Sequence, residues 1–140
     1  MNLRLARLRP LAMIALCMIG ATAIMPVSAQ QLGQPVTCDR ACLYGVLDGY
    51  LAALKARDPQ RLRFAARVRH TENNVEIRIG DGLWGTITAL DAYEMRIADA
   101  QVGQVAVFGV LEETTTKAPY ATRLKVVNGT IAEIETIVVR

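Results

Sequence analysis

The sequence predicts an α+β domain in which a cone-shaped, curved antiparallel sheet wraps around one long N-terminal helix. Three observations carry that prediction. Leu43, Val46, Leu47, Tyr50, Leu51 and Leu54 recur at helical spacing and make a single apolar stripe. From Val68 onward the apolar period falls to two, the period of a strand with one face buried. Asn128-Gly129 then stands between two alternating runs, the strongest short-range signal for a hairpin.

The chain begins with a segment that does not belong to that domain. Arg4, Arg7 and Arg9 precede the apolar run Leu11–Met25, and Val27-Ser28-Ala29 follows with small residues at the spacing of a signal-peptidase site. Residues 1–29 therefore read as a secretory signal peptide cleaved after Ala29. The run of about 15 apolar residues is short of the roughly 20 that a spanning helix needs, so no stable membrane insertion is expected after cleavage. Leu16 before Cys17 is too bulky for a lipoprotein site. Removing the signal also changes the charge. The 140-residue chain has 16 Lys and Arg against 13 Asp and Glu, and three of the Arg leave with the signal. The remainder is near neutral, which argues against a nucleic-acid partner. Export implies a periplasmic or extracellular location.

Residues 30–37 are polar, with Gly33 and Pro35, and read as a flexible leader before a domain spanning residues 38–140. Cys38 and Cys42 survive cleavage. At helical i, i+4 spacing their Cα atoms would be about 6 Å apart, within bridging range, and the oxidising compartment favours a local disulfide over two free thiols. Two Cys and one His are too few for a zinc site, and no metal or cofactor is expected. Thr37 or Asp39 can cap the first helix. Asp58-Pro59 restarts a short second helix carrying Leu62 and Phe64. The six basic residues between Lys55 and Arg69 read as solvated surface rather than an anion-binding patch.

Val68, His70 and Glu72 then share one face of a strand, Asn73-Asn74 turns the chain, and Val75, Ile77 and Ile79 alternate on the return. Gly80-Asp81-Gly82 breaks that strand, and Thr86–Ala92 fits one helical turn. Tyr93, Met95 and Ile97 alternate in the next strand, followed by a turn at Asp99–Gly103. Gln104–Leu111 is apolar on both faces, as in a central strand. Glu112–Pro119 reads as a polar loop, Tyr120–Val127 as a strand and Thr130–Val139 as its partner.

Tyr50-Leu51-Ala52-Ala53-Leu54 with Asp58-Pro59, then Val68–Asn73, Gly82-Leu83-Trp84-Gly85-Thr86 and Leu124–Ile131, resemble the nuclear transport factor two-like superfamily, which includes the SnoaL-like cyclases and ketosteroid isomerase. The Cys38–Cys42 opening and Gly80–Thr86 are similar to a secreted subgroup of it. The resemblance covers nearly all of residues 38–140 and implies a cystatin-like cone with a dry pocket, and in some members cofactor-free proton transfer. The sequence departs from the family after Thr86, where the usual third helix is barely present.

Within that frame His70 and Glu72 are the first catalytic candidates, His70 as base and Glu72 as its orienting partner, with Asp81 as a further pocket acid. Tyr50, Trp84, Tyr93 and Phe108 are candidate walls for a small apolar or aromatic molecule, although each also suits plain core. Arg123 either pairs across strands with Glu133 and Glu135 or clamps a ligand carboxylate. There is no phosphate-binding Gly-rich loop and no Ser nucleophile elbow. The expected function is a small-molecule pocket protein, with a cofactor-independent lyase or isomerase as one reading. A non-catalytic ligand-binding or protein-interaction domain is the alternative. A homodimer through the outer face of the sheet is expected.

Overall fold

The computed structural model describes residues 38–140. The expected signal peptide and leader lie outside the described residues. Helix α1 spans Arg40–Ala56. Asp39 caps it, its carboxylate accepting the Cys42 N–H at 2.8 Å. The Cys38–Cys42 disulfide brackets this first turn, with Cα atoms 5.2 Å apart. The helix stops at Arg57, whose backbone is left-handed and whose N–H returns to the Ala53 and Leu54 carbonyls. The Arg57 Nε donates to the Ile87 carbonyl at 2.7 Å, tying this end of the helix to the sheet.

Six strands follow: β1 Phe64–Glu72, β2 Val75–Glu76, β3 Ile87–Asp99, β4 Gln104–Glu113, β5 Thr116–Val127 and β6 Thr130–Val138. Their order in the sheet is β2-β1-β6-β5-β4-β3. β3 to β6 form an antiparallel meander, so β6 comes to lie beside β1 running the same way. That pairing is parallel and the sheet is mixed. Shifts of register in β1, β3 and the β5–β6 ladder mark bulges, which bend strands and give the sheet its curvature. The concave side covers α1: Leu43, Leu47, Tyr50, Leu51, Ala53 and Leu54 are all buried against it.

Four local expectations need correction. Pro59–Arg61 is a single 3-10 turn, and Phe64 already belongs to β1. Leu62 is extended, and the Arg63 carbonyl accepts the Ile131 N–H, so pairing with β6 overrides the helical start. The return strand is only Val75–Glu76, because the Asp81 N–H bonds the Arg78 carbonyl and closes a turn there. The helical turn, α2, is Leu83–Thr86, and the residues after it open β3, where Ile87 pairs with Glu113. The expected loop at 112–119 is a two-residue turn at Thr114-Thr115, with Thr114 at φ 57°. The Asn73-Asn74 and Asn128-Gly129 turns are present, all four residues at positive φ.

Candidate functional site

Strand register assembles the concave face in rows. One row runs Arg96–Val107–Thr122–Thr136–Glu72 across β3, β4, β5, β6 and β1. The next runs Ala98–Val105–Leu124–Ile134–His70. His70 and Glu72 therefore do share the inner face, and both are buried. Thr122 and Thr136 are also buried, their hydroxyl oxygens 3.1 Å apart. The fully buried Tyr50 of α1 reaches this pair, its hydroxyl lying by the Thr136 and Thr122 side chains. Burial pushes the Tyr50 phenol well above its usual value, so it stays protonated as a donor.

Trp84, carried by α2, closes this cluster. Its ring stands edge-on to Tyr50, with centroids 5.6 Å apart. The indole Nε1 is buried and has no hydrogen-bond partner among the described residues. An unpaired buried donor costs about 1–3 kcal/mol, so an N–H left in that state is a place for an acceptor.

The surroundings of His70 fix its proton. Nδ1 lies 3.1 Å from the Arg78 carbonyl oxygen, which can only accept, so Nδ1 carries the hydrogen and Nε2 keeps the lone pair. Burial lowers the His70 pKa below 6.5, outweighing the Arg78 hydrogen bond and the charges of Glu72 and Asp81. The ring is neutral at pH 7 with Nε2 as acceptor. Because the folded state binds this proton less readily than the unfolded chain, His70 contributes stability that is fully present above pH 6.5 and is lost as the pH drops below it. We expect calorimetric Tm to decline through that window, and His70→Asn to remove the decline.

Glu72 does not orient His70. One carboxylate oxygen accepts the Leu83 N–H at 2.7 Å and the other accepts from Arg140 at 2.7 Å. The orienting role falls to the Arg78 carbonyl. Asp81 sits exposed in the turn before α2. Tyr93 and Phe108 are not walls of the cone. They lie on the outer face, 67% and 43% exposed, and the inner side of β3 presents Glu94 and Arg96 instead. Arg123 is also on the outer side, held by Glu133 at 2.6 Å and Glu135 at 2.9 Å, so the cross-strand ion pair accounts for it.

The sequence reading missed Thr122, Thr136 and Arg140. The two threonines had a signal, since each occupies an inward position in an otherwise apolar alternation. Arg140 had none, because only the fold brings it to Glu72. Among the described residues, no group of three or more His, Cys, Asp or Glu side chains is placed to hold a metal ion. No helix among them is long and apolar enough to cross a membrane.

Residues 37–138 match the family model described as Domain of unknown function (DUF8021). No curated protein matches the chain. Among solved structures, a protein with a cystatin-like fold from Methylobium petroleophilum PM1 is similar, at TM-score 0.59 and 17% identity over 74% of this chain and 80% of that one. A candidate polyketide cyclase from Xanthomonas campestris pv. campestris has TM-score 0.58 and 13% identity, over 70% and 90%. A de novo designed protein with a curved β-sheet has TM-score 0.60 and 18% identity, over 72% and 88%. At these identities the likeness is one of fold, and the fold is the cystatin-like, nuclear transport factor two-like one.

Proposed function

The chain belongs to the DUF8021 family, and from that premise we propose that it is an exported small-molecule-binding domain whose ligand presents an oxygen acceptor to the concave face. The observation that carries this reading is the buried Trp84 Nε1–H, unpaired among the described residues, on a ring packed edge-on to Tyr50. A carbonyl or hydroxyl oxygen on an apolar or aromatic skeleton suits both the donor and the surrounding Leu and Trp surface. His70, neutral and with Nε2 free to accept, would serve as the base if the bound molecule reacts, removing a proton next to the polarised carbonyl. Solved structures of similar fold include candidate polyketide cyclases, which supports small-molecule handling as a use of this fold. The N-terminal Arg-then-apolar pattern and the Cys38–Cys42 bridge support export.

The non-catalytic reading is favoured by one observation: among the described residues His70 bonds no carboxylate, and both Glu72 oxygens accept from Leu83 and Arg140 instead. Native mass spectrometry of protein purified from its export compartment tests the ligand. The expected spectrum carries an added small-molecule mass, lost in Trp84→Phe. A wild-type spectrum at the bare chain mass, also after incubation with aromatic ketones, would reject the reading.

The same proposal includes a homodimer through the outer face. Met95, Phe108, Ala121 and Ile137 form one row there, with Ile97 beside it, and Met95, Phe108, Ile97 and Ile137 are each about half exposed. Arg123 flanked by Glu133 and Glu135 places both signs of charge beside that row, as a two-fold self-pairing requires. Light scattering after size exclusion should give twice the chain mass, and a monomer at micromolar concentration would refute the dimer.

A further inference from the structure

Helix α2 is held at both ends by carboxylates from distant strands. Glu72 accepts the Leu83 N–H at 2.7 Å, and Glu113 accepts from the Thr86 hydroxyl. These two carboxylates are nearly enclosed, their side chains only 9% and 11% exposed. One cation joins them. Arg140 Nη2 lies 2.7 Å from Glu72 and 2.9 Å from Glu113, and its Nε lies 2.8 Å from Glu113. Its own side chain is 45% exposed, so the tie that secures two enclosed groups is itself open to solvent.

The segment entering α2 is built to bend. Gly80 and Gly82 have φ of +98° and +62°, where side chains are disfavoured, and a Cβ on Gly82 would fall onto the Glu72 carboxylate and Ile77. Beyond this bend α2 has four residues, too few to be stable without outside contacts. It nevertheless carries Trp84 against Tyr50.

We propose that Arg140 is a positioning residue that straps α2 over the concave site, and that entry of a ligand requires this tie to release. The gating half rests on the ligand reading above; the strap itself does not. Trp84 is the only tryptophan, so its emission reports α2 alone. In Arg140→Gln, acrylamide quenching of Trp84 should rise about threefold and the Leu83 amide should exchange about tenfold faster, with β5 amides such as Leu124 unchanged. Arg140→Lys, which keeps the charge but cannot fork between two carboxylates, should fall between. Unchanged quenching, or Leu83 and Leu124 accelerating together, would show that Arg140 adds only general stability and overturn the strap. If Arg140→Gln does not fold, Glu113→Ala, which leaves the Thr86 hydroxyl without that acceptor, frees the Thr86 end alone and is read the same way. These measurements need no ligand, so their failure is separate from a bare-mass native spectrum.

Discussion

Truncating Leu47 to alanine is expected to destabilise the domain by about 2–5 kcal/mol, measured by urea denaturation. Leu47 is fully buried near the middle of the α1 stripe. The sheet that covers it is braced by its own ladders and cannot collapse into the space left by the lost atoms. A cost under about 1 kcal/mol, the range of exposed positions, would mean that the curved sheet does not cover α1. Gly49, two residues along and outside the stripe, has open space where its Cβ would be. Gly49→Ala should therefore be neutral or slightly stabilising, since it removes backbone freedom from the unfolded chain.

Replacing Glu72 with alanine is expected to cost about 2–4 kcal/mol, because it strands a buried Leu83 N–H and removes a charge-assisted bond from Arg140. The loss should be below that of a fully buried broken pair, since Arg140 is half exposed and keeps Glu113. Glu72→Gln retains an acceptor for Leu83 and should recover roughly half. If Glu72 instead served as a catalytic partner of His70, alanine there would leave stability nearly intact and abolish activity. Urea denaturation of the two variants separates these outcomes.

The parts of the molecule that follow from local chemistry were legible in the chain. The α1 stripe, the Asn-rich turns and the placement of His70 and Glu72 on one face all come from spacing and turn preference. What alternation does not reveal is which of two faces turns inward. On β3 the apolar set Tyr93, Met95 and Ile97 faces out, while Arg96 points in and reaches Asp48 on the polar flank of α1 at 2.6 Å. An edge strand can place charge on its inner side because the helix above it offers a partner there. The two candidate walls assigned to Tyr93 and Phe108 failed for this reason.

Short elements were the least legible. A two-residue strand and a one-turn helix have no period to read, and both exist through long-range bonds: Ile77 to His70, Leu83 to Glu72. The same is true of the site. Tyr50 and Trp84 could be nominated as aromatic residues, but their meeting with Thr122 and Thr136 depends on strand register across the sheet. The disulfide is the opposite case. It closes over four residues at the start of α1, so spacing together with the expected oxidising compartment predicted it.

The protonation of His70 decides whether the concave face holds a free acceptor at Nε2. Nitrogen-15 NMR of the single histidine reads both ring nitrogens directly. At pH 7 the expected spectrum is that of a neutral ring with the hydrogen on Nδ1 and a pyridine-like Nε2, titrating below 6.5. An imidazolium at pH 7, or a neutral ring protonated on Nε2, would contradict it.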